Sequence, residues 1–125
     1  MHHSKLSNVT ALSSEARYAY FVRKVADCSV VWSLFSEGWA TLQSEGGLAI
    51  PFWPEPGFAQ VCATGLWNDL NTTHIGLDEF LYHWLPGMEG DHHLCAVFPT
   101  SSDGGLLVKP KELIRDIRRE LEQYE

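Results

Sequence analysis

Hydrophobic and polar positions divide this chain into alternating helical and extended segments. After Ser13-Ser14, Tyr18, Phe21, Val22 and Val25 recur at i, i+3, i+4 and i+7, the apolar stripe of an amphipathic helix. The two serines supply its N-cap and Glu15 its first-turn acid, while Arg17, Arg23 and Lys24 fall off the stripe and are expected in solvent. The next stretch reads as strands. Val30 to Ser36 (VVWSLFS) is rich in β-branched and aromatic residues, and Glu37-Gly38 has the composition of a tight turn. Trp39 to Gln43 (WATLQ) returns, and a second turn at Ser44 to Gly47 leads into Leu48 to Trp53 (LAIPFW), so the pattern predicts a three-strand meander. Pro51 cannot donate to a ladder and places that third strand at an edge or near its end.

Pro54 to Gly57 opens a short helix in which Phe58, Val61 and Cys62 share a face, with Gly65 as its stop. Leu66 to Thr73 carries no periodicity and reads as a connection. Leu77 to Leu85 (LDEFLYHWL) is helical, with Leu77, Phe80, Leu81 and Trp84 on one side and Pro86-Gly87 ending it. Leu94 to Phe98 is continuously apolar, the signature of a strand covered on both faces, and Leu106 to Val108 is its hairpin partner. Pro110 starts a last helix that turns Leu113, Ile114, Ile117 and Leu121 inward. The expected architecture is α+β: one mainly antiparallel β-sheet, a meander plus a C-terminal hairpin, with helices packed against it over residues 13–125. Residues 1–12 are polar and unpatterned and are expected to be disordered.

Charge narrows the function. Between Lys24 and Lys109 the 84 intervening residues hold no lysine or arginine and ten acids. All five tryptophans lie in that stretch. Such a surface repels nucleic-acid phosphates and anionic lipid headgroups and attracts cationic partners. No apolar run approaches the ~18 residues of a spanning helix and the N-terminus lacks an apolar signal core, so a cytoplasmic location is expected. Cys28, Cys62 and Cys95, odd in number and far apart, fit reduced thiols better than a disulfide framework.

The element order, with the phrases EGWA (Glu37 to Ala40), PFWP (Pro51 to Pro54), LDEFLYHWLPG (Leu77 to Gly87), AVFPT (Ala96 to Thr100) and KPKELIRDIRRELEQYE (Lys109 to Glu125), resembles a bacterial family known as domain of unknown function 2750. The resemblance runs from about Ser14 to Glu125. More loosely, the layout is similar to the N-terminal domain of SseB-like proteins associated with type III secretion. The usual form of the last helix has a serine before its proline, and with Lys109 in that place the resemblance implies a missing cap. It implies a fold and a bacterial origin, and no activity, cofactor or catalytic residue.

Several constellations carry possible chemistry. His93 and Cys95 are spaced to point to one face of a strand, and with Asp91 or Glu89 could serve a metal or a small hydrolase or thiol enzyme. Two convergent ligands do not make a metal site, however, and the acidic surroundings oppose a thiolate. Met1, His2 and His3 offer an amine, amides and imidazole for adventitious Cu(II) or Ni(II). Trp39, Trp53, Trp67 and Trp84, with Glu37, Glu55, Asp69 and Asp78 near them in sequence, could wall an acidic aromatic pocket or form a protein-binding face; the alternative is that they are core residues with the indole N–H satisfied locally. Trp53 and Trp67, flanked by turn residues, are the two expected to be exposed. The reading is of a non-enzymatic protein-binding module without cofactor, inhibitor- or immunity-like, whose acidic face meets a basic protein. A tryptophan-lined pocket for a small ligand is the alternative.

Overall fold

The computed structural model describes residues 3–123, the side chain of His3 excepted. Its first element corrects the sequence reading. Residues expected to be disordered form a helix, α1 (His3–Thr10), because Leu6 and Val9 bring apolar side chains to the core and Lys5 Nζ meets Glu55 Oε1 at 2.8 Å. The chelate expected of Met1, His2 and His3 lies outside the described residues.

Ser13 Oγ then accepts the Ala16 N–H at 3.1 Å and caps α2 (Ser14–Cys28), whose Phe21, Val22 and Val25 are buried as their spacing requires. Arg17 does not lie in solvent. It is 2 % exposed, since its guanidinium satisfies the buried Phe98 carbonyl, which would otherwise be orphaned, and the part-buried Leu12 carbonyl. Ser29, in the left-handed region at φ 59°, ends the helix and turns the chain into β1 (Val30–Phe35).

The strands do not form the expected meander. The turn at Glu37-Gly38 is present, with Phe35 and Trp39 bridged across it, but the returning chain then leaves β1. It forms β2 (Leu42–Ser44), which pairs antiparallel with β3 (Gly47–Phe52). The partner of β1 is instead β4 (Asn71–Gly76), in antiparallel register from Val30↔Gly76 to Phe35↔Asn71. Thr72, Thr73 and Ile75 give that segment enough β-branched character to pair along a full strand. The second sheet has the order β2-β3-β5-β6 and is mixed rather than antiparallel. β3 runs parallel to β5 (Leu94–Val97), and β5 forms an antiparallel hairpin with β6 (Leu106–Val108).

Pro51 is accommodated inside β3 by orientation. The Phe98 N–H donates to Phe52 O at 2.8 Å, so Phe52 turns its polar backbone toward β5 and Pro51 turns its own away, past the end of β2. The Pro51 carbonyl takes the Ser33 hydroxyl at 2.7 Å. One residue later Trp53 bridges to Trp32, which ties the two sheets together.

α3 (Pro56–Val61) buries Phe58 and Ala59, leaving Val61 exposed, and ends before Gly65, which opens a 3₁₀ turn over Gly65–Trp67 at φ 57°. The helix expected to stop at Pro86-Gly87 continues. It comprises α4 (Leu77–Glu79), a π turn over Phe80–Trp84, and α5 (Leu85–Gly90). The Leu85 N–H reaches the Phe80 carbonyl five residues back, and this local widening receives Pro86 without breaking the helix. The last helix, α6 (Pro110–Glu122), buries Leu113 and Ile117, and Lys109 at its N-cap makes no side-chain hydrogen bond. Tyr18 of α2 donates to Asp116 of α6 at 2.6 Å, fastening the two helices. The architecture is α+β. Among the described residues no helix is long and apolar enough to cross a membrane.

Candidate functional site

Two tryptophans organise a groove on the surface. Trp53 is fully buried, against expectation, because it pairs with Trp32 and its indole N–H finds the Pro99 carbonyl at 2.9 Å. Trp67 stands edge-on against it, with centroids 6.1 Å apart, and its indole donates to the Thr41 carbonyl at 3.2 Å. Trp67 is thereby fixed half-buried at the wall of a groove of about 590 Å³. Thr41, Leu42 and Gln43 at the start of β2 form one side of this groove, Thr64 and Leu66 of the turn another, and Cys62, Thr100 and Ser101 the rest.

The third side is held by a buried cation. Arg17 Nη1 donates to Leu12 O at 2.6 Å, Nε to Phe98 O at 3.2 Å and Nη2 to Asp103 Oδ1 at 2.6 Å. These bonds clamp Phe98, which sits at φ 60° in the left-handed region that a bulky side chain seldom adopts. Gly105 completes the loop at φ 80°, where a Cβ would lie 2.4 Å from Val97 O, so the turn admits only glycine. Cys62 Sγ approaches Pro99 O at 3.4 Å, and burial pushes its thiol up to about 11. At neutral pH it is a small apolar wall element rather than a nucleophile.

Leu66 gives the groove its distinguishing feature. It is fully exposed in the 3₁₀ turn, beside half-buried Trp67. A single exposed leucine is ordinary on a protein surface; what sets Leu66 apart is that it stands in the lining of a groove. Sequence reasoning missed Leu66 because nothing periodic surrounds it. The one signal was an aliphatic residue placed directly after a glycine and outside any stripe.

The other residues singled out from sequence are dispersed. Asp69 is exposed two positions after Trp67. Glu37 is exposed at the β1–β2 turn, and Trp39 packs into a different cluster, 4.6 Å from both the Phe35 and Trp84 rings. Of the five tryptophans, Trp67 alone is among the residues that line the groove. Glu55 is committed internally to Lys5 and to the Tyr20 hydroxyl at 2.6 Å. Burial works to raise its pKa, but the hydrogen bonds from Lys5 and Tyr20 outweigh that and hold it below the usual carboxylate range. Among the described residues, Glu55 and Asp103 are the two of the ten central acids that meet a lysine or arginine; Glu45 and Asp69, each two positions along the chain from a groove-lining residue, meet none.

His93 and Cys95 do not share a site. His92 at φ 60° breaks the strand alternation before β5 begins, and both histidines line a polar hollow with Glu89 and Lys109. Cys95 is absent from that hollow and fully buried, and burial, with Glu89 second, pushes its thiol far up. Among the described residues no three His, Cys, Asp or Glu side chains are grouped to hold a metal ion.

Comparison with curated proteins and with solved structures finds no match. A family description, "Protein of unknown function (DUF2750)", matches residues 18–117, from within α2 to within α6 and so across both sheets and the groove. By that match over most of its length, the chain belongs to the DUF2750 family.

Proposed function

We propose that this chain is a bacterial, cytoplasmic, non-enzymatic module that binds a basic segment of another protein in the groove beside Leu66 and Trp67. The observation that carries this is the fully exposed Leu66 beside a preformed groove in a part of the chain without lysine or arginine. Apolar anchors supply affinity once water is excluded, and the unpaired acids Glu45 and Asp69 raise the encounter rate of a cationic partner and disfavour anionic ones. An inhibitor-like role follows the same logic, since an acidic face meeting a basic enzyme needs no chemistry of its own. The volume, about 590 Å³, also suits a small ligand, which is the second reading.

Intrinsic tryptophan fluorescence separates them. A short peptide alternating lysine with leucine is expected to perturb the signal, with affinity falling as salt rises and falling at least tenfold in Leu66→Ser. Replacing Glu45 and Asp69 by lysine should slow association and leave the fold intact. Binding that is indifferent to salt and to both changes would reject the protein-binding reading.

A further inference from the structure

The groove does not end at Cys62. Cys62, Thr100 and Ser101 also border a smaller, partly open cavity of about 80 Å³, which Leu6, Ser7 and Thr10 of α1 line together with Phe58. Surface continuous with the groove therefore runs on beneath α1. This helix has eight residues, too few to be stable alone in water, so its helicity comes from docking. Docking rests on Val9 and Leu6 against the core and on Lys5, which meets the Glu55 carboxylate while Tyr20 donates to its other oxygen. α1 lies outside the region that matches the family, whereas Tyr20, Glu55, Phe58 and Cys62 lie inside it.

We propose that α1 occupies, in cis, part of the site where the partner binds, and that the partner binds there as a short amphipathic helix. Its lysine would go to Glu55 and Tyr20 and its aliphatic side chains, spaced as in Lys5, Leu6 and Val9, to the surface over Phe58 and Cys62. This inference rests on reading the groove as a protein-binding site. The exchange replaces one lysine–carboxylate pair by another of the same kind, so no buried charge is left uncompensated when α1 leaves. Occupation in cis lowers the partner's apparent affinity by the fraction of molecules in which α1 is released. Glu55 is thus a binding residue masked by Lys5.

The test uses the full chain carrying Cys28→Ser, which removes the exposed thiol and leaves Cys62 as the one nearest the surface. Lys5→Glu sets two carboxylates against each other and should release α1, speeding labelling of Cys62 by a disulfide reagent at least tenfold with cooperative unfolding retained. Val9→Ser should act in the same direction through the apolar contact. A synthetic peptide with the sequence of residues 1–12, added in trans at millimolar concentration, should restore protection, and the same peptide with glutamate for its lysine should not. Unchanged labelling in both variants, no protection in trans, or protection that arises only through dimerisation would overturn the proposal. Leu66→Ser reports on the groove alone. If it leaves lysine–leucine peptide binding intact while Cys62 behaves as stated, the proposed function fails and α1 is a docked helix with no partner to exclude; the converse result removes only this inference.

Discussion

Trp32 and Trp53 exchange both backbone hydrogen bonds, at 2.9 and 2.8 Å, and this pair joins the β1–β4 sheet to the four-stranded one. Trp53 also bonds Pro99 and supports Trp67, so it transmits the position of the core to the groove. Trp53→Ala is expected to cost about 3–5 kcal/mol in a urea unfolding series, as a large aromatic emptied from the interior does. Trp67→Ala, truncating a half-buried ring, should cost less than about 2 kcal/mol. Equal losses would show that Trp67 is a core residue and no part of a site.

Arg17 yields a second prediction. Removing its guanidinium strands the buried Phe98 carbonyl, leaves the part-buried Leu12 carbonyl without this donor and frees Phe98 from its clamp. Arg17→Met should destabilise by about 2–4 kcal/mol, while Asp103→Asn, which touches only the half-exposed partner, should cost about 1 kcal/mol. Denaturant midpoints at constant m-value decide it.

The pH dependence has a defined sign. Glu55 has a folded pKa below its ordinary value, so its contribution is present above the unfolded pKa near 4.5 and is lost as pH falls through the lower folded value. Tyr20 is raised, by burial first and then by its bond to Glu55, so its contribution is present below the unfolded pKa near 10 and is lost as pH rises beyond it. The stability difference between wild type and Glu55→Gln should therefore hold from pH 5 to 9 on the order of these pKa values and shrink toward acid. A difference that grows as pH falls below 4.5 contradicts the assignment.

Thiol chemistry gives a fourth expectation. Cys28 is exposed, whereas Cys62 and Cys95 are buried and their thiols are pushed up by burial. One cysteine should label rapidly in the native protein, and Cys28→Ser should abolish that phase. A rapid phase surviving the substitution would place Cys62 or Cys95 in contact with solvent and revive a reactive-thiol role.

Helices with a clear stripe were legible, since Phe21, Val22, Val25, Leu113 and Ile117 are buried where period 3.6 puts them. So was the hairpin of β5 and β6, from its unbroken apolar run. The pairing of β1 was not. Chain neighbours were the obvious partners, while β4 lies far along the sequence and opens with Asn71-Thr72-Thr73, which looks like a loop. Pro86 misled because a single π turn absorbs it. At the candidate site, Trp67 stood out by its aromatic content but is half-buried rather than exposed, and Trp53 was misjudged because Pro54 beside it resembles a turn while the distant Pro99 carbonyl buries it. Leu66 and the seat of α1 carry no local pattern, since their meaning lies in what does or does not cover them.

The most direct test of the binding account follows the Trp67 indole N–H by NMR, assigned by Trp67→Phe, while the lysine–leucine peptide is added at low and high salt. The indole lies at the groove wall, bonded to Thr41, and none of the other four tryptophans is among the groove's lining residues. The account predicts that the Trp67 signal moves on titration while the Trp53 signal stays, that the movement weakens as salt rises, and that Leu66→Ser removes it. A Trp67 signal that stays fixed at saturating peptide, or one that moves alike in wild type and Leu66→Ser, would contradict it.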